Sequence, residues 1–167
     1  MRLRELAISR KHEQLRGGQP SAPDTYPLMI AAHVALVAMP LLEVSVRGRT
    51  RPRWGWGVVL VGATALRVWC IRSLGNAWNV RASVPADLEP VTSGPYRYIR
   101  HPNYVAVILE FLAVPLVAGA WVSALLLSTW NGIVLYDRIR AEELALDRSA
   151  AYRRAFAGRA RFIPGLF

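Results

Sequence analysis

The sequence predicts an all-α integral membrane protein with about four transmembrane helices, the last two forming a C-terminal helical hairpin. Hydrophobic residues make up 53% of the 167-residue chain, above the ~45–50% apolar usage of soluble domains. They are clumped into runs at 26–46, 54–71 and 103–136, and the last is long enough for two passes of about 20 residues each. Apart from Arg67, every arginine and lysine falls between or beyond these runs.

Taken in order, residues 1–16 alternate charged positions with Leu3, Leu6, Ile8 and Leu15, the pattern of a helix lying along a membrane surface. Gly17-Gly18-Gln19-Pro20-Ser21-Ala22-Pro23 reads as a linker. A secretory signal fits poorly, because the first 25 residues are polar and no cleavage site follows the first apolar run. Spans are expected at roughly 27–46, 54–72, 103–118 and 121–137. Trp54 and Trp56 suit an interfacial anchor for the second span, and Arg67 is long enough to snorkel towards a membrane face. Pro102 suits the first turn of the third helix, where its missing N–H costs nothing. Pro115-Leu116-Val117-Ala118-Gly119 suits a break, with Trp121 at the far interface, the alternative being that Pro115 merely kinks one pass. Beyond Asp137 an amphipathic helix is expected through about Phe156. By length the chain is one domain: a surface segment (1–25), two spans (26–72), a loop (73–102), a hairpin (103–137) and a tail (138–167).

A net charge of +10 would suit a nucleic-acid binder, but its distribution does not, and no nucleic-acid partner is expected. The basic residues flank the spans, where they meet anionic headgroups and set topology. With four spans, the N-terminus, the 73–102 loop and the tail share one side, which holds most of the arginines. Only Arg47, Arg49, Arg51 and Arg53 lie opposite. This bias puts loop and tail in the cytoplasm. Arginine almost entirely replaces lysine, which points to a GC-rich bacterial genome and so to a bacterial cytoplasmic membrane. A single cysteine, Cys70, excludes an intrachain disulfide and a multi-cysteine zinc site, and is expected as a packed apolar residue. No metal-ligand spacing, phosphate-binding glycine loop or Ser/His/Asp arrangement is visible.

Two polar clusters carry the chemistry. The run Gly94-Pro95-Tyr96-Arg97-Tyr98-Ile99-Arg100-His101-Pro102-Asn103-Tyr104 stands just before the long apolar stretch. A helix starting at Pro102 presents unpaired N–H groups and a positive dipole end beside Arg100 and His101, a setting for a carboxylate or phosphate. Tyr96, Tyr98 and Tyr104 offer faces for an aromatic ring or a cation. An interfacial aromatic belt with headgroup-binding arginines is the alternative. The second cluster, Arg138-Ile139-Arg140-Ala141-Glu142-Glu143, lies at the exit of that stretch. Arg138 and Glu142 share a helix face, and a plain intrahelical pair is the alternative there. A hairpin between the clusters returns both to one membrane face.

Together these residues resemble the isoprenylcysteine carboxyl methyltransferase family. The resemblance runs from Leu74-Gly75 and Trp78 through the 94–104 run, the apolar hairpin, Arg138 and Glu142-Glu143, to Tyr152 and Arg161-Phe162-Ile163-Pro164. Ile8-Ser9-Arg10, Glu13, Tyr26-Pro27, His33 and Glu43 are similar to a short bacterial branch that methylates hydroxyls of long-chain alkylpyrones and alkylresorcinols made by type III polyketide synthases. The resemblance implies S-adenosyl-L-methionine as cofactor, a loop and helical tail closing over it, and a lipid-like acceptor entering from the bilayer. It implies that Tyr96, Arg100, His101, Pro102 and Tyr104 line the cofactor pocket. It also implies that Arg138 with Glu142 or Glu143 stands where methyl donor and acceptor meet. The expected partners are the bilayer, a long-chain lipid-like substrate and, functionally, a type III polyketide synthase.

Glu110 and His33, both inside spans, are further substrate-binding candidates. Pairing of Glu110 with Arg67, and a hydrogen bond from His33 to a neighbouring helix, are the structural alternatives. Carboxyl methylation of a prenylated cysteine and phospholipid N-methylation remain alternative activities. An NADPH-dependent membrane reductase and a non-enzymatic membrane scaffold are the readings from other classes.

Overall fold

A computed structural model describes residues 26–48, 51–78 and 89–165. The expected surface helix and linker at 1–25 lie outside the described residues. The described residues are mostly helical, with no β-strand among them. Among the described residues five α-helices follow one another: α1 (Tyr26–Arg47), α2 (Trp54–Leu74), α3 (Pro102–Val117), α4 (Trp121–Leu146) and α5 (Ala150–Ala155). Single 3₁₀ turns occupy Gly75–Ala77 and Gly94–Arg97.

The chain divides into two compact units. Tyr26–Val68 and Pro102–Leu135 form one, and Trp69–His101 with Tyr136–Phe167 belong to the other. The first is the helical unit. Its α1 and α2 are long and apolar enough to cross a membrane. The apolar α3, at 16 residues, is shorter than the ~20 of a full pass. Within this unit α1 packs against α3. Phe111, Leu127, Ala63, Ala106 and Ala113 fill its interior, the small side chains allowing close helix approach. Leu28, Val34, Val37, Leu41, Val58, Val61, Leu125 and Ile133 point outward, the arrangement of helices solvated by lipid rather than water. Trp54 and Trp121 are exposed at helix starts, as interfacial anchors require.

Pro115 stays inside α3, and the break comes later. Gly119, at φ 75°, ends the helix in a left-handed cap. Its N–H donates to Leu116 O at 3.0 Å and the Ala120 N–H to Pro115 O at 2.9 Å, the paired bonds that satisfy carbonyls at a helix end. The Val117 carbonyl accepts the Arg53 N–H at 3.1 Å. The opposite helix end is capped from a distance. The Glu43 carboxylate accepts the Val122 N–H at 3.2 Å, the Ser123 N–H at 2.6 Å and the Ser123 hydroxyl at 2.7 Å. An anion thus sits on the positive end of α4. Arg47 pairs with Glu43 at 3.4 Å and lies over the Trp121 ring at 4.9 Å.

After Asp137 the structure departs from the sequence reading. Rather than one amphipathic helix to Phe156, α4 runs on to Leu146 and stops. Ser149 then caps α5, its hydroxyl accepting the Tyr152 N–H at 3.3 Å. A serine with extended backbone ahead of a new turn favours a cap over helix continuation.

Candidate functional site

The second unit gathers the loop before α3, the end of α4 and the tail. The loop is seated by Gly94. With φ at +59°, it holds a backbone conformation that side chains resist, and a Cβ there would lie 2.0 Å from Ser73 Oγ and 3.0 Å from Trp69 Nε1. Only glycine lets the loop close on the end of α2. Pro95, Tyr96 and Ile99 are buried behind it, while Arg97 and Tyr98 face outward.

The tail is tied to this loop by main-chain and guanidinium bonds. The Arg100 N–H donates to Ala160 O at 2.9 Å and the His101 N–H to Arg161 O at 3.0 Å. Arg100 Nε donates to Arg159 O at 2.9 Å, and Arg159 reaches back to Tyr96 O at 2.6 Å. The Arg159 guanidinium also lies 4.8 Å over the Phe156 ring.

The end of α4 supplies the carboxylates. Glu143 Oε1 meets His101 Nε2 at 3.2 Å, and Oε2 accepts from Arg161 at 2.9 Å. The bond from His101, against the opposing effect of burial, together with the charges of His101, Arg161 and Arg100 holds the Glu143 carboxyl below its ordinary pKa. His101 is buried, with the Phe162 ring 6.0 Å away. Tyr152 is buried too, and its phenol is pushed upward by burial and by the neighbouring charges of Glu142, Glu143 and Asp147. Arg138, four residues before Glu142, is a buried guanidinium at 6% exposure. A buried arginine of this kind carries a fixed positive charge and five donors into a dry setting.

The predicted residues therefore divide. Tyr96, Arg100, His101, Arg138, Glu142 and Glu143 all belong to this unit, and direct bonds join the loop, the α4 end and the tail. Pro102 and Tyr104, both buried, open α3 and belong to the helical unit. So do Glu110 and His33. Glu110 is taken by Arg67 through two 2.7 Å bonds. His33 Nδ1 donates to Met29 O at 2.7 Å on its own helix, and its ring packs edge-on against Phe111 at 5.1 Å. Three contributors carried no site role in the sequence reading. Gly94 was legible as a turn glycine before proline, and Arg161 stood in the tail motif. Arg159 gave no signal, because its partner is a backbone carbonyl.

Described residues that form helices and no strand, two of the helices of membrane length, with ionisable groups gathered from a loop, a helix end and a tail, have the build of a membrane-bound enzyme. The profile of the isoprenylcysteine carboxyl methyltransferase family matches residues 56–148, more than half of the chain. The chain belongs to that family and is a membrane methyltransferase. The match starts inside α2, earlier than the sequence reading placed it, and stops before Tyr152 and the 161–164 motif. The uncharacterized protein YpbQ of Bacillus subtilis (strain 168) is 35% identical over 151 residues, covering 87% of this chain and 90% of that protein. An uncharacterized protein of Haemophilus influenzae is 26% identical over 154 residues, covering 88% and 89% respectively.

Family members use S-adenosylmethionine, and the groups of this unit fit it. The cofactor offers a carboxylate, an ammonium, a sulfonium and an adenine. The unit offers the Arg100 guanidinium, the buried His101 imidazole and the buried Tyr96, groups suited to a carboxylate and to a cation or an aromatic ring.

Proposed function

We propose that this chain transfers a methyl group from S-adenosylmethionine to a lipid-like acceptor held in the bilayer, the hydroxyl of a long-chain alkylpyrone or alkylresorcinol being the first reading. The observation that supports it is the 3.2 Å contact between His101 and Glu143. It joins the two polar clusters that the sequence separates by a long apolar stretch. In this reading Tyr96, Arg100 and His101 hold the cofactor, with Pro102 and Tyr104 carried along by their place in the same motif. Four helices cross the bacterial cytoplasmic membrane as one catalytic domain, with loop and tail on the cytoplasmic side. The acceptor's alkyl chain stays in lipid.

When bound, S-adenosylmethionine supplies an electrophilic methyl group. The protein's work is alignment and exclusion of water, which lower the barrier by several kcal/mol in well-oriented systems, about 7–11 at best. A phenolic or enolic acceptor has to lose its proton, and a carboxylate at the end of α4 receives it. Arg138, buried and permanently charged, stabilises the resulting oxyanion. A carboxylate acceptor arrives ionised and needs no base. Carboxyl methylation of a prenylated cysteine is therefore the second reading, favoured by the family match itself.

The test is methyl transfer in membranes containing the protein, using labelled S-adenosylmethionine with an alkylpyrone, an alkylresorcinol and a farnesylated cysteine analogue in parallel. Label on the hydroxyl compounds is expected. Label on the cysteine carboxylate alone overturns the first reading in favour of the second. Label on none, with no saturable binding of the cofactor or its demethylated product, removes the methyltransferase reading for this chain.

A further inference from the structure

Resting on the methyltransferase reading above, we propose that Glu143 is a positioning residue that locks the tail to the cofactor loop. Both Glu143 oxygens are engaged, Oε1 by His101 at 3.2 Å and Oε2 by Arg161 at 2.9 Å. The two partners come from different segments, one in the loop and one in the tail, while Glu143 itself stands on α4. Its carboxylate is thus a three-way tie. The main-chain bonds Arg100–Ala160 and His101–Arg161 align the two stretches of chain, and Glu143 fixes both the His101 ring and the Arg161 guanidinium to the helix. Arg161 is half-exposed, at 54% of its side chain, so the tie reaches the protein surface.

A carboxylate with two cationic or hydrogen-donating neighbours is stabilised in its charged form and is a weak base, in keeping with its lowered pKa. Glu142 lies about 100° around the helix. It shares the face of Arg138, four residues earlier. The face that carries Arg138 is therefore not the one that carries Glu143. Glu143 is left on the side of the tail.

The experiment uses the full chain in lipid nanodiscs with three readouts. These are hydrogen exchange of residues 100–101 and 159–161 without cofactor, affinity for S-adenosylhomocysteine, and the pH profile of kcat with a hydroxyl acceptor. For Glu143→Gln, tail protection falls and the KM for S-adenosylmethionine rises about tenfold, as loss of a charge-assisted tie implies. The acidic limb of the kcat profile stays in place. Arg161→Met reproduces part of these changes, since the His101 bond survives, and the double variant is no worse than Glu143→Gln. For Glu142→Gln, which leaves the Glu143 tie in place, tail protection is unchanged. Loss of kcat and of the acidic limb in Glu143→Gln, with tail protection intact, overturns the assignment. Loss of tail protection in Glu142→Gln as large as in Glu143→Gln overturns it as well. Absence of homocysteine-product binding by the wild type defeats the methyltransferase reading instead, and the exchange data still decide whether Glu143 ties the tail.

Discussion

Replacing Glu110 by leucine while Arg67 remains strands a guanidinium inside the helical unit. Arg67 and Glu110 are 4% and 6% exposed, and two 2.7 Å bonds join them in a fork across 43 residues of sequence. Removing one partner of such a buried pair costs about 3–5 kcal/mol, because the other charge is left without compensation. Exchanging both for apolar residues of similar volume is commonly neutral or stabilising by ~1–4 kcal/mol. At roughly 2–4 °C per kcal/mol for a chain of this size, Glu110→Leu lowers Tm by on the order of 10 °C. The double variant Arg67→Met/Glu110→Leu returns to within about 3 °C of wild type. Thermal unfolding in a single detergent, followed by tryptophan fluorescence, gives both values, and methyl transfer is measured on the same preparations. If Glu110→Leu melts with wild type, or the double variant is as unstable as the single one, the pair is not the internal strut described here. A stable double variant that has lost activity would instead mark Glu110 as a substrate contact.

Three other expectations follow from particular contacts. Glu43→Ala strips three bonds from the start of α4 and lowers stability by about 1–2 kcal/mol, with Glu43→Gln milder, read by the same melts. Gly94→Ala forces a left-handed residue and a Cβ 2.0 Å from Ser73 Oγ. It reduces cofactor affinity, and Ser73→Gly restores only part of it because the strain in φ remains. Glu143 has a depressed carboxyl pKa in the folded protein, so its contribution is complete above the unfolded-state value near ~4.3. That contribution is lost as pH falls through the lower folded value. Proteolysis of the tail should therefore accelerate on acidification below about pH 4 in wild type, but not further in Glu143→Gln, which lacks the titrating group.

Much of the architecture was legible because its causes are local. Apolar run length placed α1 and α2 within a residue or two of their observed bounds. Pro102 marked the start of α3, and Gly119 the turn after it. The motif around His101, the Arg138–Glu142 spacing and the family itself could also be read from residue types in order. Local signals misjudged the region after Asp137, where periodicity ran on but the Ser149 cap won.

What the sequence could not state is which charge meets which. Four carboxylates follow apolar or helical surroundings that look alike, at 43, 110, 142 and 143. Glu43 caps a helix whose first turn is 79 and 80 residues further on, Glu110 closes on Arg67, and Glu143 joins a loop to a tail. By itself the sequence determined where helices form, since turn propensity and hydrophobic periodicity depend on neighbours a few residues away. Only the tertiary structure decided the partners, because a desolvated charge takes whichever complementary group packing brings within about 3 Å, and that choice is made between segments far apart in the chain.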